Sequence, residues 1–280
     1  MTAIVSMKWV LARMYEPDLF IADCRFSLAE PEAGRTAFQQ DHIPGAVYFD
    51  LEHNLSSPLQ DQGHGGRHPL PDMNRLAQHL RKSGVSNESR IVVYDDQGGA
   101  MASRLWWLLH YMGHEEVYLM DQGYSAWKAA GFPVTAEEPV RIPASFTPHI
   151  QQSQLASLEE VREASKQGSS ILIDSREHAR YLGLEEPIDH TAGHIPGAIN
   201  LFWKENLESD GTWKSPDALA DRFRHLPKDQ EIIVYCGSGV TACPNVLALR
   251  AAGFDRVKLY AGSWSDWISY SENPIATGEE

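Results

Sequence analysis

Three cysteines occur in the 280-residue sequence, Cys24, Cys236 and Cys243, and only Cys236 stands where chemistry is expected. It follows the apolar, β-branched run Ile232-Ile233-Val234-Tyr235 and opens the turn Gly237-Ser238-Gly239-Val240-Thr241. In an α/β sheet, ligand sites gather at the carboxyl ends of strands. Two glycines let the backbone turn tightly with its amides directed inward. A helix is expected over Pro244–Ala252, with Pro244 in its first turn and Gly253 as its stop. The positive end of that helix dipole, aimed at the sulfur, favours thiolate, the nucleophilic form. Cys24, beside a strand end, and Cys243, in the first helical turn, lack this setting and read as structural cysteines or redox neighbours. A cysteine-dependent phosphatase would need an arginine after five intervening residues, but position 242 is Ala242.

The elements that must position Cys236 occur twice. His42-Ile43-Pro44-Gly45-Ala46 returns 152 positions later as His194-Ile195-Pro196-Gly197-Ala198. Asp23-x-Arg25 returns 151 positions later as Asp174-x-Arg176, and Val93-Tyr94 returns 141 later as Val234-Tyr235. Gly113, Trp127 and Pro133 match Gly253, Trp267 and Pro274 at offsets of 140 or 141. Landmarks in one order indicate duplication. The falling offset places about ten extra residues in the first half, in the Gly-, His- and Pro-rich stretch Asn54–Pro71, expected to be a loop. At the position of Cys236 the first half carries Asp95, in Asp95-Asp96-Gln97-Gly98-Gly99-Ala100.

Short apolar runs read as buried strands at Leu19–Ala22, Val47–Phe49, Ile91–Tyr94 and Val117–Leu119. A second set lies at Ile171–Ile173, Ile199–Leu201, Ile232–Tyr235 and Val257–Tyr260. Helical segments at Arg75–Ser83, Ser103–Tyr111 and Leu158–Gln167 alternate with them. The expected fold class is therefore α/β, each half a mainly parallel sheet flanked by helices. Pro139, Pro143 and Pro148 mark a linker. The domains are read as 1–138, without the cysteine, and 153–280, catalytic, joined by a linker at 139–152.

Composition narrows the partners. Hydrophobic residues make up 42% and charged residues 22%, an ordinary globular balance. The formal net charge of −14 disfavours nucleic acid and requires a locally positive pocket for any anionic substrate. No apolar run is long enough for a membrane span, and no signal peptide is read. Three sparse cysteines argue against a disulfide framework and for the cytoplasm. No CxxC spacing occurs, and His53, His64 and His68 match no ligand spacing, so neither metal nor cofactor is expected. The Asp-x-Arg pairs, present in both halves, read as structural braces, and HIPGA as a folding motif.

The tandem halves, the paired HIPGA motifs and the loop Cys236-Gly237-Ser238-Gly239-Val240-Thr241 resemble the rhodanese superfamily from about Leu11 to Pro274. More narrowly, the chain resembles two-domain sulfurtransferases, and the C-G-S-G-V-T loop is similar to that of 3-mercaptopyruvate sulfurtransferases. Thiosulfate sulfurtransferases of this type usually carry basic residues where Gly237 and Ser238 stand. The resemblance implies two tandem rhodanese-like domains. It implies transfer of sulfane sulfur from 3-mercaptopyruvate to a thiol, thioredoxin or cyanide through a Cys236 persulfide. Cys236, Ser238 and His68 are its implied catalytic residues, with Glu52 or Asp50 as the acid of a Ser–His–acid set. Arg180 is implied to hold the substrate carboxylate, and the loop at Gly237, Gly239, Val240 and Thr241 to bind the transferred sulfur. Where such members often carry a second arginine after Pro-Glu-Pro, this chain reads Glu185-Glu186-Pro187-Ile188-Asp189-His190. Two alternatives stand beside this reading: thiosulfate as donor, and a sulfur-carrier or redox-sensing module without turnover.

Overall fold

A computed structural model of the chain describes residues 3–60 and 63–279. They form two compact units. One comprises Met1–Ser57, Pro71–Gln151 and Leu207–Trp213; the other comprises Pro58–Leu70, Gln152–Asn206 and Lys214–Glu280.

The first unit is built on five parallel strands: β1 (Ile4–Val5), β2 (Leu19–Asp23), β3 (Val47–Tyr48), β4 (Arg90–Tyr94) and β5 (Val117–Met120), ordered β1-β5-β4-β2-β3. All five residues of β2 are buried. A strand covered on both faces reads as a continuous apolar run, which is why these strands were visible without alternation. The helices are α1 (Met7–Arg13), α2 (Glu32–Gln40), α3 (Met73–Lys82), α4 (Ala102–Tyr111) and α5 (Tyr124–Ala129).

The second unit has four parallel strands, β6 (Ile171–Asp174), β7 (Ala198–Asn200), β8 (Ile232–Tyr235) and β9 (Val257–Leu259), ordered β7-β6-β8-β9. Its helices are α6 (Leu158–Gln167), α7 (His178–Tyr181), α8 (Pro216–Arg222), α9 (Cys243–Ala251) and α10 (Ser263–Trp267). A Ser157–Glu160 capping box opens α6, and Ser215 caps α8 ahead of Pro216. Along α9, every residue from Cys243 to Leu249 is buried, so this helix has no polar face and belongs to the core.

The duplication is plain in the topology. The order β5-β4-β2-β3 of the first sheet is repeated as β9-β8-β6-β7 in the second. Even the extra edge strand β1 on β5 has a remnant, a single parallel bridge from Leu155 to Leu259 on β9.

Both Asp-x-Arg pairs are buried braces at strand ends. Arg25 Nε lies 3.1 and 2.9 Å from the Asp23 carboxylate oxygens, and the Tyr94 hydroxyl donates to Asp23 at 2.7 Å. Arg176 makes the same fork with Asp174, with Nη2 at 2.6 Å. The Nη2 group of each arginine also donates to the HIPGA approach, at the carbonyls of Asp41 and Gly193. The HIPGA histidines are buried too, stacked on Phe38 in one unit and Tyr181 in the other. Removing one partner of a buried ion pair leaves an uncompensated charge and costs about 3–5 kcal/mol. Asp23→Ala should therefore lower unfolding free energy by about that amount in urea titrations. An unchanged midpoint would show that the Asp23–Arg25 pair does not brace the fold.

Candidate active site

Cys236 is the first residue beyond β8, which lies between β6 and β9, and its side chain is almost wholly covered. The Gly239 N–H donates to Cys236 Sγ at 3.2 Å. That inward turn requires glycine: Gly239 has φ +75°, and a methyl group there would lie 2.1 Å from the Ala261 carbonyl oxygen.

The loop is fixed from outside by the first turn of α10. The Cys236 N–H donates to Ser263 Oγ at 3.1 Å, and the Ser263 hydroxyl donates to the Tyr260 carbonyl at 2.9 Å. The N–H groups of Trp264 and Ser265 donate to the carbonyls of Cys236 and Gly237. Ser263 holds a left-handed backbone, φ +56°, which costs a side-chain-bearing residue about 1–3 kcal/mol and persists where the surroundings over-determine it.

The same loop in the first unit closes on a carboxylate. Asp95 is buried and accepts from the N–H groups of Gln97, Gly99, Met101 and Ala102 at 2.8–2.9 Å. Burial pushes its pKa up, and those four amides oppose the rise. In the first unit this turn therefore aims four amides at the carboxylate that follows the strand.

The other cysteines have different surroundings. Burial pushes the Cys24 thiol well above its ordinary range, with the Asp23 and Asp95 carboxylates adding to it. Cys243 is buried at the start of α9 and donates through sulfur to the Gly239 carbonyl at 3.3 Å.

Ser238 and His68, 170 positions apart, meet: His68 Nδ1 lies 2.8 Å from Ser238 Oγ, and both side chains are buried. The segment carrying His68, Pro58–Leu70, belongs to the second unit and is anchored on α10. The Gly65 N–H donates to Asp266 at 2.7 Å and the Arg67 N–H to Ser265 Oγ at 3.1 Å. The extra residues read from the repeat offset as a loop are thus part of the site-bearing unit. The three histidines of this region go to separate partners, His53 to Asp50, His64 to Ser269 and His68 to Ser238. Asp50 is buried, and its Oδ1 accepts from the N–H groups of Glu52 and His53, while Glu52 is exposed.

Arg180 is not an isolated cation. A ladder of alternating charge runs from the β6 brace towards the loop: Asp174, Arg176, Glu186, Arg180, Asp189, Arg67. The Arg176–Glu186 contact is 3.2 Å, Arg180–Glu186 2.6 Å, Arg180–Asp189 3.3 Å and Arg67–Asp189 2.9 Å. Burial pushes Glu186 up, but the Arg180 guanidinium and the N–H groups of Asp189 and Ile188 outweigh it, leaving Glu186 below the usual carboxylate range. Burial raises Asp189, and Arg67 opposes it without cancelling it. Of the remaining loop residues implied by the resemblance, Gly237 and Val240 are buried and Thr241 is half-buried. Sequence reasoning missed Arg67, Glu186, Asp189 and Ser263 as parts of this site. The usable signals were a basic residue beside the candidate histidine and two acids downstream of Arg180.

The Rhodanese-like domain family matches the chain twice, at residues 6–130 and 157–270, and the chain belongs to that family. A probable 3-mercaptopyruvate sulfurtransferase of Pseudomonas aeruginosa is 45% identical, covering 99% of this chain and 98% of that protein. A thiosulfate sulfurtransferase of Rattus norvegicus is 34% identical, covering 95% of this chain and 92% of that protein. Among solved structures, a 3-mercaptopyruvate sulfotransferase of Escherichia coli superposes with a TM-score of 0.80. It is 32% identical, covering 94% of this chain and 99% of that one.

The ladder makes a pH prediction. Because the folded pKa of Glu186 is lowered, its ionised form stabilises the fold. That gain is complete above the ordinary value of 4.5 and is lost as pH falls through the folded value. Thermal unfolding of wild type and Glu186→Gln should differ most at neutral pH and converge as the solution is acidified below 4.5. A constant gap across that range would contradict the assignment.

Proposed function

We propose that this protein is a sulfurtransferase that takes sulfur from 3-mercaptopyruvate onto Cys236 and delivers it to a thiol, with reduced thioredoxin or a small thiol as acceptor. The observation that carries the reading is Cys236 Sγ held at the end of β8 by the Gly239 N–H, with the Ser238–His68 pair beside it. The 45% identity to a probable 3-mercaptopyruvate sulfurtransferase over nearly the whole chain supports the choice of donor.

In the first half-reaction the Cys236 thiolate attacks the donor sulfur. The carbon–sulfur bond breaks, its electron pair leaves on carbon as the enolate of pyruvate, and the enolate takes a proton. Ser238 and His68, 2.8 Å apart, form the relay that supplies it. In the second half-reaction an acceptor thiolate attacks the outer sulfur, forming an acceptor persulfide and restoring the Cys236 thiolate. Cyanide does the same and leaves as thiocyanate. The covalent intermediate divides one difficult transfer into two easier steps. The turn at Gly237, Gly239, Val240 and Thr241 holds the anionic outer sulfur as the matching turn holds the Asp95 carboxylate. The domains are then a non-catalytic 1–138, a linker at 139–152 and a catalytic 153–280, with one amendment: the segment Pro58–Leu70, which carries His68, goes with the catalytic unit, and Leu207–Trp213 goes with the other. Three free cysteines fit a reducing, cytoplasmic setting, and no helix among the described residues is long and apolar enough to cross a membrane.

Mass spectrometry of the intact protein after exposure to 3-mercaptopyruvate should show a gain of one sulfur atom, removable by cyanide and absent in Cys236→Ser. No gain, or a gain that persists in the variant, would sink the reading. Faster loading from thiosulfate at equal low concentration would reassign the donor. His68→Gln should slow loading from 3-mercaptopyruvate by about a hundredfold while leaving discharge by cyanide, which needs no delivered proton, near the wild-type rate. Equal slowing of both steps would remove His68 from the proton relay.

A further inference from the structure

The nucleophile loop from Cys236 to Ala242 contains no cation, and the protein as a whole carries −14. An anionic donor must therefore meet positive charge brought from elsewhere in the chain. Two guanidinium groups converge on the backbone next to Cys236. A methyl group built on Gly237 would lie 2.8 Å from Arg67 Nη2, 3.6 Å from Arg180 Nη2 and 3.8 Å from Asp189 Oδ2, the carboxylate that tethers both. The space that a side chain at 237 would fill is thus occupied by Arg67.

We propose that Arg67 and Arg180 form a two-arginine clamp for the donor's carboxylate on the Gly237 flank of the loop, with Arg67 standing in for the cation the loop itself lacks. This inference rests on the proposed function and specifies how the same site selects its substrate.

Three features support it. First, one carboxylate orients both groups: Asp189 accepts from Arg67 Nε at 2.9 Å and from Arg180 Nη2 at 3.3 Å. A shared tether fixes both forks before substrate arrives, which lowers the entropy cost of binding. Second, the acids are more deeply buried than the bases, and Arg67 is the group nearest the loop. The side chains of Asp189 and Glu186 are 3% and 4% exposed, against 29% for Arg67 and 12% for Arg180. An incoming anion therefore meets guanidinium first, although the formal charges of the cluster balance. The Nε and Nη2 donors of Arg67 face Asp189 and those of Arg180 face Glu186, so an incoming carboxylate meets the Nη1 side of each planar fork. Third, Arg67 adjoins His68, whose imidazole lies on Ser238. One dipeptide, held to α10 through the Arg67 N–H, thus brings a carboxylate-binding cation and the proton relay to neighbouring loop residues.

The test compares wild type, Arg67→Gln, Arg67→Lys, Arg180→Gln and the double Gln variant in two measurements. Steady-state kinetics with 3-mercaptopyruvate should show KM raised about tenfold or more in Arg67→Gln, since a charge-assisted hydrogen bond is lost, with kcat changed far less and Arg67→Lys intermediate. Calorimetric binding should show that wild type prefers pyruvate to its uncharged amide, and that Arg67→Gln loses this preference by a similar factor. The double variant should lose less than the product of the single effects, because both residues grip one group. An unchanged KM in Arg67→Gln, or equal weakening of pyruvate and its amide, would overturn the clamp. Failure of wild type to load sulfur from 3-mercaptopyruvate would instead overturn the functional reading, and pyruvate binding would still decide the role of Arg67.

Discussion

The first turn of α10 is the constraint on which the site depends. Its backbone N–H groups at Trp264 and Ser265 hold the carbonyls of Cys236 and Gly237, and the Ser263 hydroxyl accepts from the Cys236 N–H. Ser265 and Asp266 hold the amides of Arg67 and Gly65. A five-residue helix therefore sets the nucleophile loop and the His68 segment in one frame. The left-handed backbone at Ser263 belongs to this arrangement, because it brings one hydroxyl between the Tyr260 carbonyl and the Cys236 amide. Strain of this kind survives only where several contacts demand it, and here they come from two chain segments.

On the proposed reading, the duplicated fold explains why one half would react and the other would not. Both halves end a central strand in a tight turn, with four amides on Asp95 in the first and the Gly239 N–H on Cys236 Sγ in the second, and both brace that strand end with a buried Asp–Arg fork. In the first unit the turn is already filled by the Asp95 carboxylate, which takes four amides and has no sulfur to donate. In the second, a cysteine stands there. The brace also diverges. Arg25 ends on the Asp41 carbonyl, whereas Arg176 continues through Glu186, Arg180 and Asp189 to Arg67. Buried guanidinium is tolerated only when paired, so each arginine in this series has a carboxylate next to it.

Much of the fold was legible in the sequence because buried parallel strands leave continuous apolar runs and because the repeat confirmed them. The runs at 232–235 and 158–167 were located to the residue, and the neighbouring elements to within a residue or so. The short strand β1 and helices α1, α2, α5, α7, α8 and α10 were not read from the sequence; apart from α2 these helices are seven residues or fewer. Only Val10 is buried in α1, so that helix shows no apolar period. Cys236 stood out through its local motif, whereas Ser238 and Arg180 followed from the resemblance. The Ser238–His68 contact followed only from the resemblance, since nothing local links positions 170 apart. The roles of Glu186, Asp189 and Arg67 were hidden for a physical reason. Their charges acquire meaning from the partners they meet, and those partners come from different segments.

On the proposed function, the turn after β8 holds a sulfur anion on Cys236. The most direct measurement is a crystal structure of the sulfur-loaded protein. The account predicts one additional sulfur bonded to Cys236 Sγ, lying inside the turn within hydrogen-bonding reach of the amides between Gly237 and Thr241, with Cys24 and Cys243 unmodified. An outer sulfur directed away from those amides, or bonded to another cysteine, would contradict it.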